Sequence, residues 1–295
     1  MFDKLYFWKG GNGGGGTAFK LIMIILILLV LMSGAGAGYW YYYIYSPEQA
    51  QKAAQAAARA KVQADISSVK TFYEKSLDGM TIPQAISVLD EIRQKLMPLR
   101  IAFVGDKLGY VCDTNKCDIS YELDDGVVAT YPVVNFWGKD YKASPFLPKG
   151  KKEAKSGFQY TNIAIKSQKN ELLKAYQAKK TIDLPSCSEV VAYVTTYNSF
   201  LGNKNKKGGR IKFNKYPATT VDVLEKQLGT QVYSYGMRSA TWETEIKDND
   251  NSAYRALTDI QMILYKQPYR SAFLIRKIAS TDKGIKVSGG LVCKA

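Results

Sequence analysis

The first long departure from mixed polarity lies near the N-terminus. Residues 21–45, LIMIILILLVLMSGAGAGYWYYYIY, carry no charged side chain. As a helix this run covers roughly 37 Å, at about 1.5 Å per residue, and a bilayer's hydrocarbon core is about 30 Å thick. One transmembrane helix is therefore expected at 21–45, after a cytoplasmic tail at 1–20. Lys4, Lys9 and Lys20 precede it against Asp3 alone, so the positive-inside rule puts the C-terminal part on the exported side. Tyr39, Trp40, Tyr41, Tyr42, Tyr43 and Tyr45 close the run as an aromatic belt at the membrane interface.

The pattern then turns helical and weakly amphipathic. Ser46-Pro47-Glu48 has the chemistry of a helix start, with an N-cap hydroxyl, proline at the first helical position and an acid in the first turn. The Ala- and Gln-rich segment 48–78 is intrinsically helical. Val62, Ile66, Val69, Tyr73 and Leu77 repeat at spacings of three and four, a narrow apolar seam. Residues 46–97 are expected to be a helical stalk whose seam binds a partner helix, with packing on its own domain as the competing reading. Gly79 ends the first stalk helix, and a second one is expected from Thr81 to just before Pro98.

Short alternations follow. Strands are expected at 99–104, 108–112, 118–123 and 127–131, with Asp125-Gly126 as a hairpin turn, giving a β-hairpin subdomain at 98–143. The lysine-rich segment 139–155 reads as a loop. From 144 to 295 an exported α+β domain is expected. Its strands lie at 158–165, 210–213, 231–235, 237–247, 272–279 and 285–293, and its helices at 167–178, after Pro185 up to Gly202, and at 253–265. A ferredoxin-like arrangement is the expected α+β form.

Composition changes this picture in two ways. The chain has 295 residues and no histidine, which excludes Ser-His-Asp and Cys-His catalysis and imidazole metal ligation. The net charge is +15, from 41 Lys and Arg against 26 Asp and Glu. Much of it falls in 139–155 and in Lys204, Lys206, Lys207, Arg210, Lys212 and Lys215, which fits either a solvated surface or attraction to acidic partners. Topology disfavours nucleic acid. Glu122, Asp124, Asp125, Glu243 and Glu245 could supply a glycan-cleaving carboxylate pair, but turn and strand-face positions explain them without catalysis. Neither catalytic residues nor a cofactor is expected. The glycine run 10–16 lacks the Gly-Lys-Ser/Thr of a phosphate loop and reads as a tether.

All four cysteines follow the apolar run: Cys112, Cys117, Cys187 and Cys293. Two disulfides are expected, 112 with 117 across a hairpin and 187 with 293 over a long loop, in an oxidising compartment. A four-thiolate zinc site is the competitor, but it wants two close pairs, and only one is present. Two processing alternatives also stand. Ala35-Gly36-Ala37 offers small residues to signal peptidase, and Gly16 before Thr17-Ala18-Phe19 resembles the end of a prepilin leader, with Leu21 where pilins carry Glu.

The layout of short tail, single anchor, Ala-rich stalk and exported α+β domain resembles PilO-type inner-membrane proteins of type IV pilus and type II secretion machines. The segment Gly109-Tyr110-Val111-Cys112-Asp113-Thr114-Asn115-Lys116-Cys117-Asp118-Ile119-Ser120-Tyr121, with Phe136 downstream, is similar to the C-x4-C hairpin of the type IVb pilus PilO family, and TcpD-like pilus proteins share the layout. The resemblance implies a non-enzymatic inner-membrane scaffold with a periplasmic domain. It also implies protein partners in the assembly machine, linking the membrane platform to periplasmic components.

Overall fold

The computed structural model describes residues 16–102, 107–124, 130, 132–146, 157–166, 169–204, 209–247, 268–281 and 284–295. The expected strand at 127–131, its Asp125-Gly126 turn and the expected helix at 253–265 fall outside these residues, apart from residue 130. The chain divides into two compact units, Met1–Ala64 and Asp65–Ala295.

In the first unit, α1 (Gly16–Trp40) is followed by a π-helical turn, Tyr41–Tyr45, and by the start of α2 (Ser46–Leu77). The expected helix start at Ser46 is instead a continuation: its N–H donates to the Tyr41 carbonyl, five residues back. The wide turn has a physical reason. Pro47 has no N–H and its ring crowds the carbonyl four residues earlier, so a π turn just before it opens the backbone without ending the helix. Leu21 to Met32 leave their large apolar side chains 41–72% exposed to solvent. One helical stretch here is long and apolar enough to span a membrane.

The second unit is mixed α+β. Among the described residues, its main sheet has eight strands, all antiparallel, in the order β5-β6-β2-β1-β9-β10-β8-β7. These are β1 (Lys107–Asp113), β2 (Lys116–Glu122), β5 (Ser144–Phe146), β6 (Gly157–Ala164), β7 (Ile211–Phe213), β8 (Met237–Lys247), β9 (Phe273–Thr281) and β10 (Gly284–Lys294). A small hairpin, β3 (Val133–Phe136) with β4 (Lys139–Lys142), forms a separate sheet that packs on it through Phe136 and Tyr141. Among the described residues, its helices are the end of α2, α3 (Ile82–Ala102), α4 (Glu171–Gln177), α5 (Cys187–Lys204) and α6 (Asp222–Leu228).

The sheet order contains a repeat. Strands β1, β2, β5 and β6 lie as β5-β6-β2-β1, and β7, β8, β9 and β10 lie in the same relative order, β9-β10-β8-β7. The halves join through β1 and β9. Each half follows two helices, and the second of each pair, α3 or α5, buries Leu89 and Ile92 or Val190 and Val194 in one core cluster. The first of each pair, the α2 end or α4, buries Tyr73 and Leu77 or Leu173 and Tyr176 in a second cluster. Strand alternation separates the clusters: Phe273 and Ile275 point into the first and Leu274 into the second. One sheet thus draws strands from both sides of the expected boundary at 143/144.

Both sheet edges are blunted. Outer strand β5 contains Pro145, which cannot donate. On β7, the Asn198 side chain donates to the Ile211 carbonyl at 2.7 Å and accepts from its N–H at 2.9 Å.

Several expectations change. Residues 99–102 are helical, because α3 continues past Pro98; the missing bond falls beside exposed Gln94, where water can replace it. The expected loop at 139–155 contains β4 and β5. Trp137 and Gly138 both have positive φ and close the β3–β4 turn. Residues 231–235 form no strand, and α5 runs through Gly202 to Lys204.

Candidate functional site

The candidate site is the end of α2, where buried and hydrogen-bonded side chains converge. Asp65–Leu77 belongs to the second unit, and its last turns are built into the sheet's second core cluster. Val69, Tyr73 and Leu77 are at most 1% exposed. The lower part of the expected partner-binding seam is therefore filled by the chain's own domain. Burying such side chains is worth about 1.5–3 kcal/mol each, more than a weak helix pairing could recover by pulling them out. Ile66 is half-buried against the same cluster, and Val62, in the first unit, is 38% exposed.

Polar groups fix the helix end. Tyr73 donates its hydroxyl proton to Glu225 Oε1 at 2.7 Å and accepts from the Tyr235 N–H at 2.8 Å, while its ring stacks on Tyr176 at 4.8 Å. Burial pushes the Tyr73 hydroxyl pKa well above its ordinary value, with the Glu225 carboxylate adding to the shift. Asn170 is buried and works in two directions. Its Oδ1 accepts from the Leu173 N–H as the N-cap of α4, and its Nδ2 donates to the carbonyls of Leu77 and Gly79 at 2.7 and 2.8 Å.

Arg276 closes the last turn. Its Nη2 donates to the carbonyls of Lys75 and Ser76 at 2.6 and 3.2 Å, and its Nε to that of Asp78 at 3.0 Å. A guanidinium at a helix C-terminus meets both the unpaired carbonyls and the negative end of the helix dipole. Arg276 sits at a register shift, where Ser288 pairs with Lys277 and Gly289 with Ile275. That irregularity re-aims it. Gly289 permits it: an added Cβ would lie 1.8 Å from the Leu274 carbonyl oxygen.

The chain then reverses at Gly79, whose φ of +146° suits glycine and whose added Cβ would meet the Leu274 Cβ at 2.9 Å. Met80 and Ile275 exchange both backbone hydrogen bonds at 2.7 Å. Thr81 and Gln84 cap α3 reciprocally.

The other expected residues are placed as follows. Cys112 and Cys117 are bonded and directly opposite each other in β1 and β2; Asp113 Oδ1 accepts from the N–H groups of Asn115 and Lys116 in the turn. Cys187 and Cys293 are bonded, joining the start of α5 to the end of β10. All four thiols are thus committed, and no group of three His, Cys, Asp or Glu among the described residues could hold a metal ion. Both disulfides fit an oxidising compartment. Tyr39, Trp40, Tyr41, Tyr42, Tyr43 and Tyr45 are all exposed, with Tyr39 stacked on Tyr43 at 4.7 Å. Glu243 is engaged with Lys286 at 2.7 Å, which lowers its carboxyl pKa.

Arg276, Asn170 and Glu225 were not legible as functional positions. The one available signal was Arg276 itself, a cation inside the apolar run Phe273-Leu274-Ile275 to Ile278.

A groove of about 800 Å³ flanks the docked helix, between Ser67 to Ser76 and the stretch Asn214 to Thr220. No family model, no curated protein and no solved structure matches the chain.

Proposed function

We propose that the protein is a non-enzymatic, single-pass scaffold of a type IVb pilus or related type II secretion machine. Residues 21–45 anchor it in the inner membrane, the N-terminus is cytoplasmic, and the sheet domain lies in the periplasm. Its partners are proteins of the assembly machine, and it links the membrane platform to periplasmic components.

One observation carries the reading: the last turns of the long helix are core residues of the folded domain, held by Tyr73, Asn170 and Arg276. A scaffold has to pass position and load from its anchor to its domain, and a helix end held by core packing and charge-assisted bonds does so better than a loose tether. The two disulfides and the membrane-length apolar helix support the compartment and the topology.

A clean in-frame deletion tests the function. Surface pili should be lost and restored by the complementing chain, and the tagged protein should co-purify with membrane-platform components. Full piliation in the deletion strain overturns the reading. N-terminal sequencing of the mature protein separates a minor pilin-like subunit, which would begin after Gly16.

A further inference from the structure

The groove beside the end of α2 has a chemistry of its own. Among its lining residues are Lys75, Lys215 and Arg276, and no carboxylate. Arg276 is engaged with the helix carbonyls, but neither Lys75 nor Lys215 has an ion-pair partner among the described residues, and both are exposed. Serines and threonines are frequent in the remainder, though most of the exposed lining surface is apolar. Ser76 and Ser239 bond to each other, and Asn214 donates to Thr241, whereas the hydroxyls of Ser67, Thr71 and Thr220 line the groove without a side-chain partner among the described residues. Two aromatic rings complete it: Phe72, half-buried, and Tyr216, 56% exposed.

Each class of ligand can be weighed against this lining. An apolar ligand would cover the hydroxyls of Ser67, Thr71 and Thr220 without giving them a partner, each costing about 1–3 kcal/mol when left unpaired. A free phosphate would also answer the lysines, but it has no apolar face to set against Tyr216 or Phe72. A sugar offers many hydroxyls to the Ser, Thr and Asn groups and an apolar ring face to Tyr216 or Phe72. A single carboxylate on it would answer the two unpaired lysines. A volume of about 800 Å³ is within the usual range for a small-molecule site.

We infer that this groove binds a carboxylate-bearing glycan, with Lys75 and Lys215 on the acid and Tyr216 against a sugar ring. Nothing in this site depends on the pilus reading, so the glycan test and the piliation test can fail separately.

The test is calorimetric titration of the full chain in detergent micelles with three probes. These are the N-acetylglucosamine–N-acetylmuramic acid disaccharide, its neutral counterpart diacetylchitobiose, and inorganic phosphate. The acidic disaccharide should bind at least about tenfold more tightly than either of the others. Lys75→Gln with Lys215→Gln should weaken it about tenfold, and Tyr216→Ala about fivefold. All three positions are exposed, so thermal unfolding of these variants should match the parent. Equal binding of the neutral sugar, preference for phosphate, no binding up to about 10 mM, or binding indifferent to all three substitutions would each overturn the assignment.

Discussion

The guanidinium of Arg276 lies 2.6 Å from the carbonyl oxygen of Lys75, so a residue of the penultimate strand caps a helix some two hundred positions earlier in the chain. Replacing Arg276 with Met keeps the apolar stem and removes the donors to Lys75, Ser76 and Asp78. The stability loss should be about 2 kcal/mol, because these carbonyls are partly reachable by water. Arg276→Lys should recover part of it. Urea unfolding of both variants measures the difference.

Tyr73 should show two separable effects. Tyr73→Phe leaves the Tyr235 N–H and Glu225 without their partner and should cost about 1–2 kcal/mol. Tyr73→Ala also empties the stacking position beside Tyr176 and should cost about 3–5 kcal/mol. Equal losses for the two would place the whole effect in the hydroxyl.

The two disulfides should contribute unequally. The chain-entropy model assigns about 5 kcal/mol to the 187–293 link, which spans 106 positions, and about 2 kcal/mol to the 112–117 link, which spans 5. Replacing Cys187 and Cys293 by Ser should therefore lower the melting temperature more than replacing Cys112 and Cys117. Mass spectrometry of unreduced peptides checks the pairing itself.

Alkali should unfold the domain in a defined window. Burial pushes the hydroxyls of Tyr160 and Tyr176 up to about 12, above their ordinary value of 10. A folded-state pKa raised in this way means that the folded chain keeps protons the unfolded chain releases. Its stabilisation is complete below pH 10 and is lost as pH rises towards 12. Unfolding followed by circular dichroism from pH 9 to about 12.5 should show a cooperative loss, and Tyr160→Phe should move it to higher pH.

The local elements that could be read from sequence had self-contained signals. The β1–β2 hairpin announces itself through Cys112 and Cys117 around a polar turn, and β9 and β10 through the apolar clusters Phe273-Leu274-Ile275 and Leu291-Val292-Cys293. The apolar run at 21–45 was legible because length and lack of charge suffice. What was hidden depends on distant partners. The seam Val69, Tyr73 and Leu77 has the same spacing whether it meets another chain or this sheet, and its true cover, Leu274 and Val292, lies some two hundred residues away. Strand β5 holds only Ser144, Pro145 and Phe146 and exists because β6 pairs with it. The repeated strand order could not be read either. It is carried by the pairings within each half, β1 with β2, β2 with β6 and β5 with β6 against β7 with β8, β8 with β10 and β9 with β10, while the helices and loops of the two halves differ in length. At the docked helix end, Arg276 is aimed by a bulge, and bulges leave little trace in hydrophobic alternation.

The central claim is that the last turns of α2 belong to the folded domain. Hydrogen–deuterium exchange of the full chain in detergent tests it most directly. Amides of 69–77 should be protected to the same degree as those of β9 and β10, opening only with the whole domain. Exchange of 69–77 at the rate of the exposed helix at 46–60, while β9 and β10 stay protected, would contradict the account.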